Sequence, residues 1–244
     1  MPSGTFKRGG TSGHPLNSSP VPLSPTQHAQ LERYLDLLLT WNERINLTAI
    51  TEPHEIYVKH FLDALTLIPF IEARLSPQRL IDVGSGAGFP GVPIAIARPA
   101  WRVVLLEATR KKVRFLEALA TELGLRNVEV HWGRAEDAAH DPAHRERYDV
   151  AVARALAPLP VLLELCLPFV RPGGYLLAPK GADPHPEVEA AARALKMLGG
   201  CLEEIAPVRV PLLDERRTLV IVRKEHPTPP TFPRPPGRPA KRPL

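Results

Sequence analysis

The chain has 244 residues, with 31 Lys and Arg against 26 Asp and Glu, 29 Pro, 16 Gly and 2 Cys. A composition of 44% hydrophobic and 23% charged residues is that of an ordinary soluble protein, long enough for one large domain with a substantial core. Two distant cysteines, Cys166 and Cys201, exclude a disulfide scaffold, and no apolar run approaches the ~18 residues of a membrane span.

Residues 1–25 lack the apolar stretch of a secretory signal, so the expected location is the cytoplasm. The net charge of +5 is unevenly spread. Residues 1–25 carry 2 basic side chains and residues 226–244 carry 4, neither with an acid, which leaves 25 basic and 26 acidic groups in 26–225. Proline follows the same partition, with 5 in the first segment and 8 in the last. The reading is a flexible segment 1–25, a nearly neutral body 26–225 and a basic, proline-spaced arm 226–244.

In chain order, Leu31, Leu35, Leu38, Trp41 and Ile45 recur at helical spacing, and a second helix is predicted from Pro53 to about Ile68. These two helices form an extension over 26–76. From 77 to 225, short apolar runs at 79–84, 103–107, 128–133, 149–155 and 175–179 alternate with helical patterns near 91–98, 110–124, 158–170 and 186–198. That alternation predicts a doubly wound α/β fold whose sheet is covered on both faces. Gly199-Gly200 closes the last helix, and runs at 201–210 and 218–223 predict an antiparallel hairpin at the sheet edge, for seven mostly parallel strands.

In such a sheet ligands bind beyond the carboxyl ends of the strands. The first strand-to-helix turn there carries Gly84, Gly86 and Gly88, followed by Phe89, a G-x-G-x-G spacing rather than the G-x-G-x-x-G of dinucleotide-binding proteins. Glu107 ends the next strand, where a carboxylate can accept from both ribose hydroxyls; alternatively it is a surface acid at a helix start. After the third strand, Ala135, Glu136 and Asp137 either meet an adenine edge or cap a short helix.

Several separated motifs make the match more specific: WNERINLTAI (41–50), KHFLDAL (59–65), LIDVGSGAGFPGVPIAI (80–96), GRAED (133–137), VARAL (152–156), PKG (179–181) and PRPPGRPAKRPL (233–244). Together they resemble the bacterial RsmG (GidB) family over about Thr26 to Leu244. The resemblance implies a Rossmann-like methyltransferase that uses S-adenosylmethionine (SAM) to methylate N7 of a guanine in the 530 loop of 16S ribosomal RNA. It also implies that Gly84, Phe89, Glu107, Ala108, Thr109, Ala135, Glu136 and Arg154 line the SAM site. Two departures stand out: Pro235 follows Arg234 where the family usually has a second basic residue, and Lys59 stands where it often has Arg.

The residues agree with attack by a ring nitrogen. The slot after the fourth strand, Ala153 to Pro158, lacks the Asn/Asp-Pro-Pro-aromatic motif used on exocyclic amines, and both cysteines read as core packing rather than nucleophiles. Guanine N7 offers a lone pair and loses no proton, so no general base is required and positioning dominates. Arg154 is the candidate for holding the guanine or cofactor, against the alternative of a salt bridge, and Lys180 has the same ambiguity. Arg110, Lys111, Lys112 and Arg114 open a helix beside the cofactor edge, either on phosphates or as a solvated face. Arg234, Arg238, Lys241 and Arg242 read as an extended arm that cannot form a helix and grips a polyanion, or as a solubilising tail. No metal ligand set is seen. The expected partner is 16S rRNA or the small ribosomal subunit, with no DNA or membrane, and the chain is expected to act as a monomer. The rival classes are a nucleotide-dependent oxidoreductase and a non-catalytic RNA-binding module.

Overall fold

A computed structural model describes residues 13–244. Helix α1 (Pro25–Asn42) opens on a capping box in which the Ser24 hydroxyl accepts from the Gln27 amide and the Gln27 side chain accepts from the Ser24 amide. Its buried stripe is Leu31, Tyr34, Leu35 and Leu38. The second helical segment starts at Pro53 as expected but runs on to Glu72. It comprises α2 (Pro53–Ile56), a π-helical turn (Tyr57–Leu62), α3 (Asp63–Leu65) and α4 (Leu67–Glu72). A π turn carries an extra residue, so a strict 3.6-residue pattern does not describe it.

The sheet is built from β1 (Arg79–Val83), β2 (Arg102–Glu107), β3 (Val128–Trp132), β4 (Tyr148–Val152), β5 (Val170–Lys180), β6 (Gly200–Val208) and β7 (Arg217–Lys224), in the order β3-β2-β1-β4-β5-β7-β6. The first five pair in parallel, and β7 is antiparallel to both β5 and β6. The predicted hairpin is therefore present, with its second strand inserted next to the body. β5 begins at Val170 rather than 175, because Pro172-Gly173-Gly174, which reads as a turn, is accommodated by a register shift against β4.

Alternate strand residues face two cores. Leu80, Val103, Leu105, Val150, Val152 and Leu177 pack with α1, the 53–72 segment, α5 (Gly91–Ala97) and α6 (Arg110–Glu122). Ile81, Val83, Val104, Leu106 and Ala151 pack with α7 (Ala135–Ala138), α8 (Leu159–Cys166), α9 (His185–Ala190) and α10 (Ala192–Leu198). Gly199 closes α10 at φ +76°. Among the described residues no helix is long and apolar enough to cross a membrane.

Both terminal expectations change. Residues 1–12 of the supposed flexible segment lie outside the described residues, but the rest of it packs: Leu16 and Val21 are buried in the core, and the His14 ring meets Tyr57 edge-on at 4.8 Å. The C-terminal arm is not extended into solvent. Arg145 donates to the carbonyls of Thr228, Pro229 and Phe232, and Phe232 is buried. Arg234, expected to contact RNA, instead forks onto the fully buried Glu164 carboxylate at 2.8 and 2.6 Å. A buried carboxylate needs such a partner, which explains the inward turn of this arginine. The tail also forms a helix after all, α11 (Arg238–Lys241), preceded by Gly237 at φ +79°. Arg238, Lys241 and Arg242 remain exposed. Cys166 is buried as read, whereas Cys201 is exposed on the edge strand β6.

Replacing Arg234 leaves Glu164 buried without its cation. Arg234→Ala should cost about 3–5 kcal/mol of unfolding free energy, whereas Lys241→Ala, at an exposed site, should stay within about 0.5 kcal/mol of the parent. Urea unfolding of both variants checks this; equal, small effects would refute a structural role for Arg234.

Candidate active site

The turn after β1 is folded by its glycines. Gly84, Gly86 and Gly88 all have φ between +59° and +97°, the region that disfavours side chains. Gly84 and Gly86 line a cleft with Ser85, Ala87, Phe89, Arg154 and Lys112. The cleft is open to solvent and holds about 200 Å³, smaller than the 300–1,000 Å³ common for small-ligand sites. Gly88 does not line it: a Cβ there would come within 2.7 Å of the Tyr34 hydroxyl, so this glycine serves packing. The sequence reading missed the opposite wall, which the N-terminal extension supplies as Leu47, Thr48 and His60.

Arg154, two residues past the end of β4, joins the two walls. Its guanidinium donates to the Asp63 carboxylate at 3.0 Å and to the Lys59 carbonyl at 2.9 Å, lies 3.1 Å from His60 Nδ1, and sits 5.2 Å from the Phe89 ring centroid. The salt-bridge alternative is thus realised, in the wall of the cleft. His60 stacks on Phe89 at 4.6 Å, Tyr34 stacks on its ring at 5.2 Å, and the Tyr34 hydroxyl donates to the Ala87 carbonyl. His60 Nδ1 lies 3.1 Å from both the Arg154 guanidinium and the Lys59 carbonyl, and its Nε2 lies 2.9 Å from the Thr48 hydroxyl. Burial, aided by the neighbouring guanidinium, pushes the imidazole down to about 4.

Two carboxylates lie behind the loop. Glu107 accepts from the amides of Gly86 at 2.9 Å and Thr109 at 2.7 Å, one per oxygen, which binds the end of β2 to the glycine turn. Asp82 is completely buried; its Oδ2 accepts from the Gly91 amide at 2.8 Å, and among the described residues its Oδ1 has no partner. Burial pushes its carboxyl up to about 7.

The remaining expected residues divide. Ala108 and Thr109 are exposed at the rim after β2. Ala135 and Glu136 open α7, and the Glu136 carboxylate accepts from the Gly237 amide of the tail at 3.1 Å. Lys112 lines the cleft, while Arg110, Lys111 and Arg114 are exposed along the start of α6. Lys180 is not presented outward: its ammonium is 2.7 Å from Glu187 and its side chain is 11% exposed. The lining suits SAM in having a glycine turn whose backbone a ligand can approach without meeting a Cβ, beside an apolar ring wall; the amides of Gly84 and Gly86 themselves donate to the Leu106 carbonyl and to Glu107, which lies behind the turn.

An imidazole in the unfolded chain titrates near 6.5 and the folded one at about 4. Between these values the unfolded chain binds the proton and the folded one does not. His60 therefore contributes fully above about pH 6.5 and loses that contribution as pH falls toward 4. The stability difference between the parent and His60→Gln should be smaller at pH 5 than at pH 7.5 in urea unfolding; a pH-independent difference would contradict a neutral, buried His60.

Comparison with known proteins places the chain in a family. A family model described as GidB, rRNA small subunit methyltransferase G, matches residues 27–218. The "Ribosomal RNA small subunit methyltransferase G" of Moorella thermoacetica is 48% identical over 225 residues, 92% of this chain and 93% of its own. That of Symbiobacterium thermophilum is 50% identical over 217 residues, 86% of this chain and 87% of its own. Among solved structures, a mutant of the 16S rRNA (adenine(1408)-N(1))-methyltransferase from Catenulisporales acidiphilia shares the fold, at 18% identity, with a TM-score of 0.52 over 66% of this chain and 91% of that one. The chain belongs to the GidB family, the rRNA small subunit methyltransferases G.

Proposed function

We propose that this protein is a SAM-dependent methyltransferase that methylates N7 of a guanine in the 530 loop of 16S rRNA, in the cytoplasm, acting as a monomer on the RNA or the small subunit. The observation that carries the reading is the cleft itself, in which the glycine turn faces Thr48, His60 and Arg154.

SAM supplies an electrophilic methyl group on a sulfonium. The backbone of Gly84 and Gly86 would border its amino-acid end, Glu107 would accept from the ribose hydroxyls with its remaining lone pairs, and Ala135 with Glu136 would meet the adenine edge. Guanine N7 carries a lone pair and no proton, so methylation there would call for no proton transfer by any residue of the chain. The chain's task is therefore alignment, which can lower a barrier by as much as ~7–11 kcal/mol in favourable cases. Phe89, stacked with His60 and Tyr34, and Arg154, paired with Asp63, would fix that alignment. A neutral His60 adds no charge beside the positive methyl donor.

Labelled SAM incubated with 16S rRNA or small subunits lacking the modification tests the reading. N7-methylguanine mapped by borohydride and aniline cleavage to one 530-loop guanine is expected; no transfer under conditions where SAM binds would refute it. Glu107→Gln exchanges an acceptor for a donor facing backbone amides. It should weaken SAM binding by about 10- to 150-fold, the effect of 1.5–3 kcal/mol for a hydrogen bond to a charged group; unchanged affinity in calorimetry would remove Glu107 from the ribose.

A further inference from the structure

Among the described residues only two large apolar side chains are exposed, Leu212 and Trp132. Leu212 lies between β6 and β7 at φ +63°. Trp132 is different, because it is held in place. It ends the edge strand β3 opposite Glu107, and its indole N–H donates to the Ala108 carbonyl at 3.1 Å. The Arg110 guanidinium lies over the ring, 4.0 Å from its centroid. The residue nonetheless stays 54% exposed. Leaving a large aromatic surface in water is unfavourable, and the cation–π contact with Arg110 covers only part of it.

The surroundings are strongly basic. Lys111 and Arg114 are exposed on the same helix as Arg110, and Arg134 is exposed two residues beyond Trp132. None of these cations takes part in an ion pair among the described residues. Trp132 has the strand parity of Val128 and Val130, which face α6, whereas Glu129 alternates to the other face. The patch borders the cleft, since Lys112 of the same helix turn lines it.

The geometry points to a stacking platform: the Trp132 indole, braced by Arg110, receives an unpaired RNA base flanking the target guanine, while Lys111, Arg114 and Arg134 take the adjoining phosphates. An aromatic face beside a guanidinium and a row of cations is the arrangement that holds single-stranded RNA, because every base has a π face and every linkage a charge. A paired stem keeps its bases in the stack and cannot use the indole. The platform would thus favour a loop over a stem and hold the strand in register with the cleft. This inference rests on RNA being the substrate.

Binding by the full-length protein tests it, with two probes: a 16S rRNA fragment carrying the unmodified 530 loop, and a fully paired RNA duplex of equal length. Trp132→Ala should weaken loop binding by about 5- to 150-fold, the range for one stacked base, and leave duplex binding within about twofold. Its salt slope should be unchanged, because no phosphate contact is lost. Trp132→Phe should retain most of the loop affinity, and the emission of the parent should be quenched by the loop RNA more than that of Trp132→Phe. Unchanged loop affinity in Trp132→Ala would overturn the platform. A parallel loss of SAM affinity would also overturn it by assigning the ring to the cofactor. Methyl transfer by the parent is scored separately, so a failed platform with active parent enzyme leaves the proposed reaction standing, and the converse failure leaves the binding result decisive.

Discussion

The site depends on one partly buried cation. Arg154 has only 18% of its side chain exposed, and a guanidinium so far out of water must be compensated by hydrogen-bonding partners. Among the described residues its polar partners all come from the segment 59–63: the Asp63 carboxylate, the Lys59 carbonyl and His60 Nδ1. Satisfying Arg154 therefore clamps the N-terminal helices onto the end of β4. The π turn over Tyr57–Leu62 contains Lys59 and His60 and runs directly into Asp63. Such turns often occur at functional positions, where local regularity gives way to side-chain placement. The same clamp orients His60 against Phe89, so the glycine turn gains an aromatic wall that the α/β body alone does not supply.

Behind this wall the electrostatics are local. Glu107 joins the turn to the end of β2 through the Gly86 and Thr109 amides, and Asp82 sits fully buried one strand over, its ionisation opposed by burial and by the nearby Glu107 but favoured by Arg154. Apart from Lys112, which lines the cleft, the cations at the start of α6 and Arg134 face outward beside it. This separation suits a substrate whose phosphates stay wet while one base enters a fixed cleft.

The fold was legible because its signals are local and repeated: apolar runs alternating with helical periods, glycines at the first turn and after α10, and an acid at the end of β2. The α/β side of the site was legible for the same reason. The wall formed by Leu47, Thr48 and His60 was not, because nothing in a helical period marks a π turn and nothing in the spacing tells which of two surfaces Arg154 joins. The tail failed for a related reason. A segment of eight prolines and four cations reads as solvated, and only the three-dimensional placement of Glu164, 70 residues away, shows that Arg234 is needed inside. Lys180 was ambiguous in sequence and is settled by Glu187, seven residues on. Gly88 illustrates the limit in the other direction, since its place in a ligand-binding spacing conceals a packing role against Tyr34.

The central claim is that the helical extension and the α/β body form one catalytic site through Arg154. A double-mutant cycle on single-turnover methyl transfer, using Arg154→Gln, Asp63→Asn and the double variant, addresses it most directly. Coupling of about 0.5–3 kcal/mol is predicted, because residues sharing one hydrogen-bonded network act together. Additive effects, or an Asp63→Asn rate equal to that of the parent, would contradict the claim and reduce the extension to a scaffold beside an independent site.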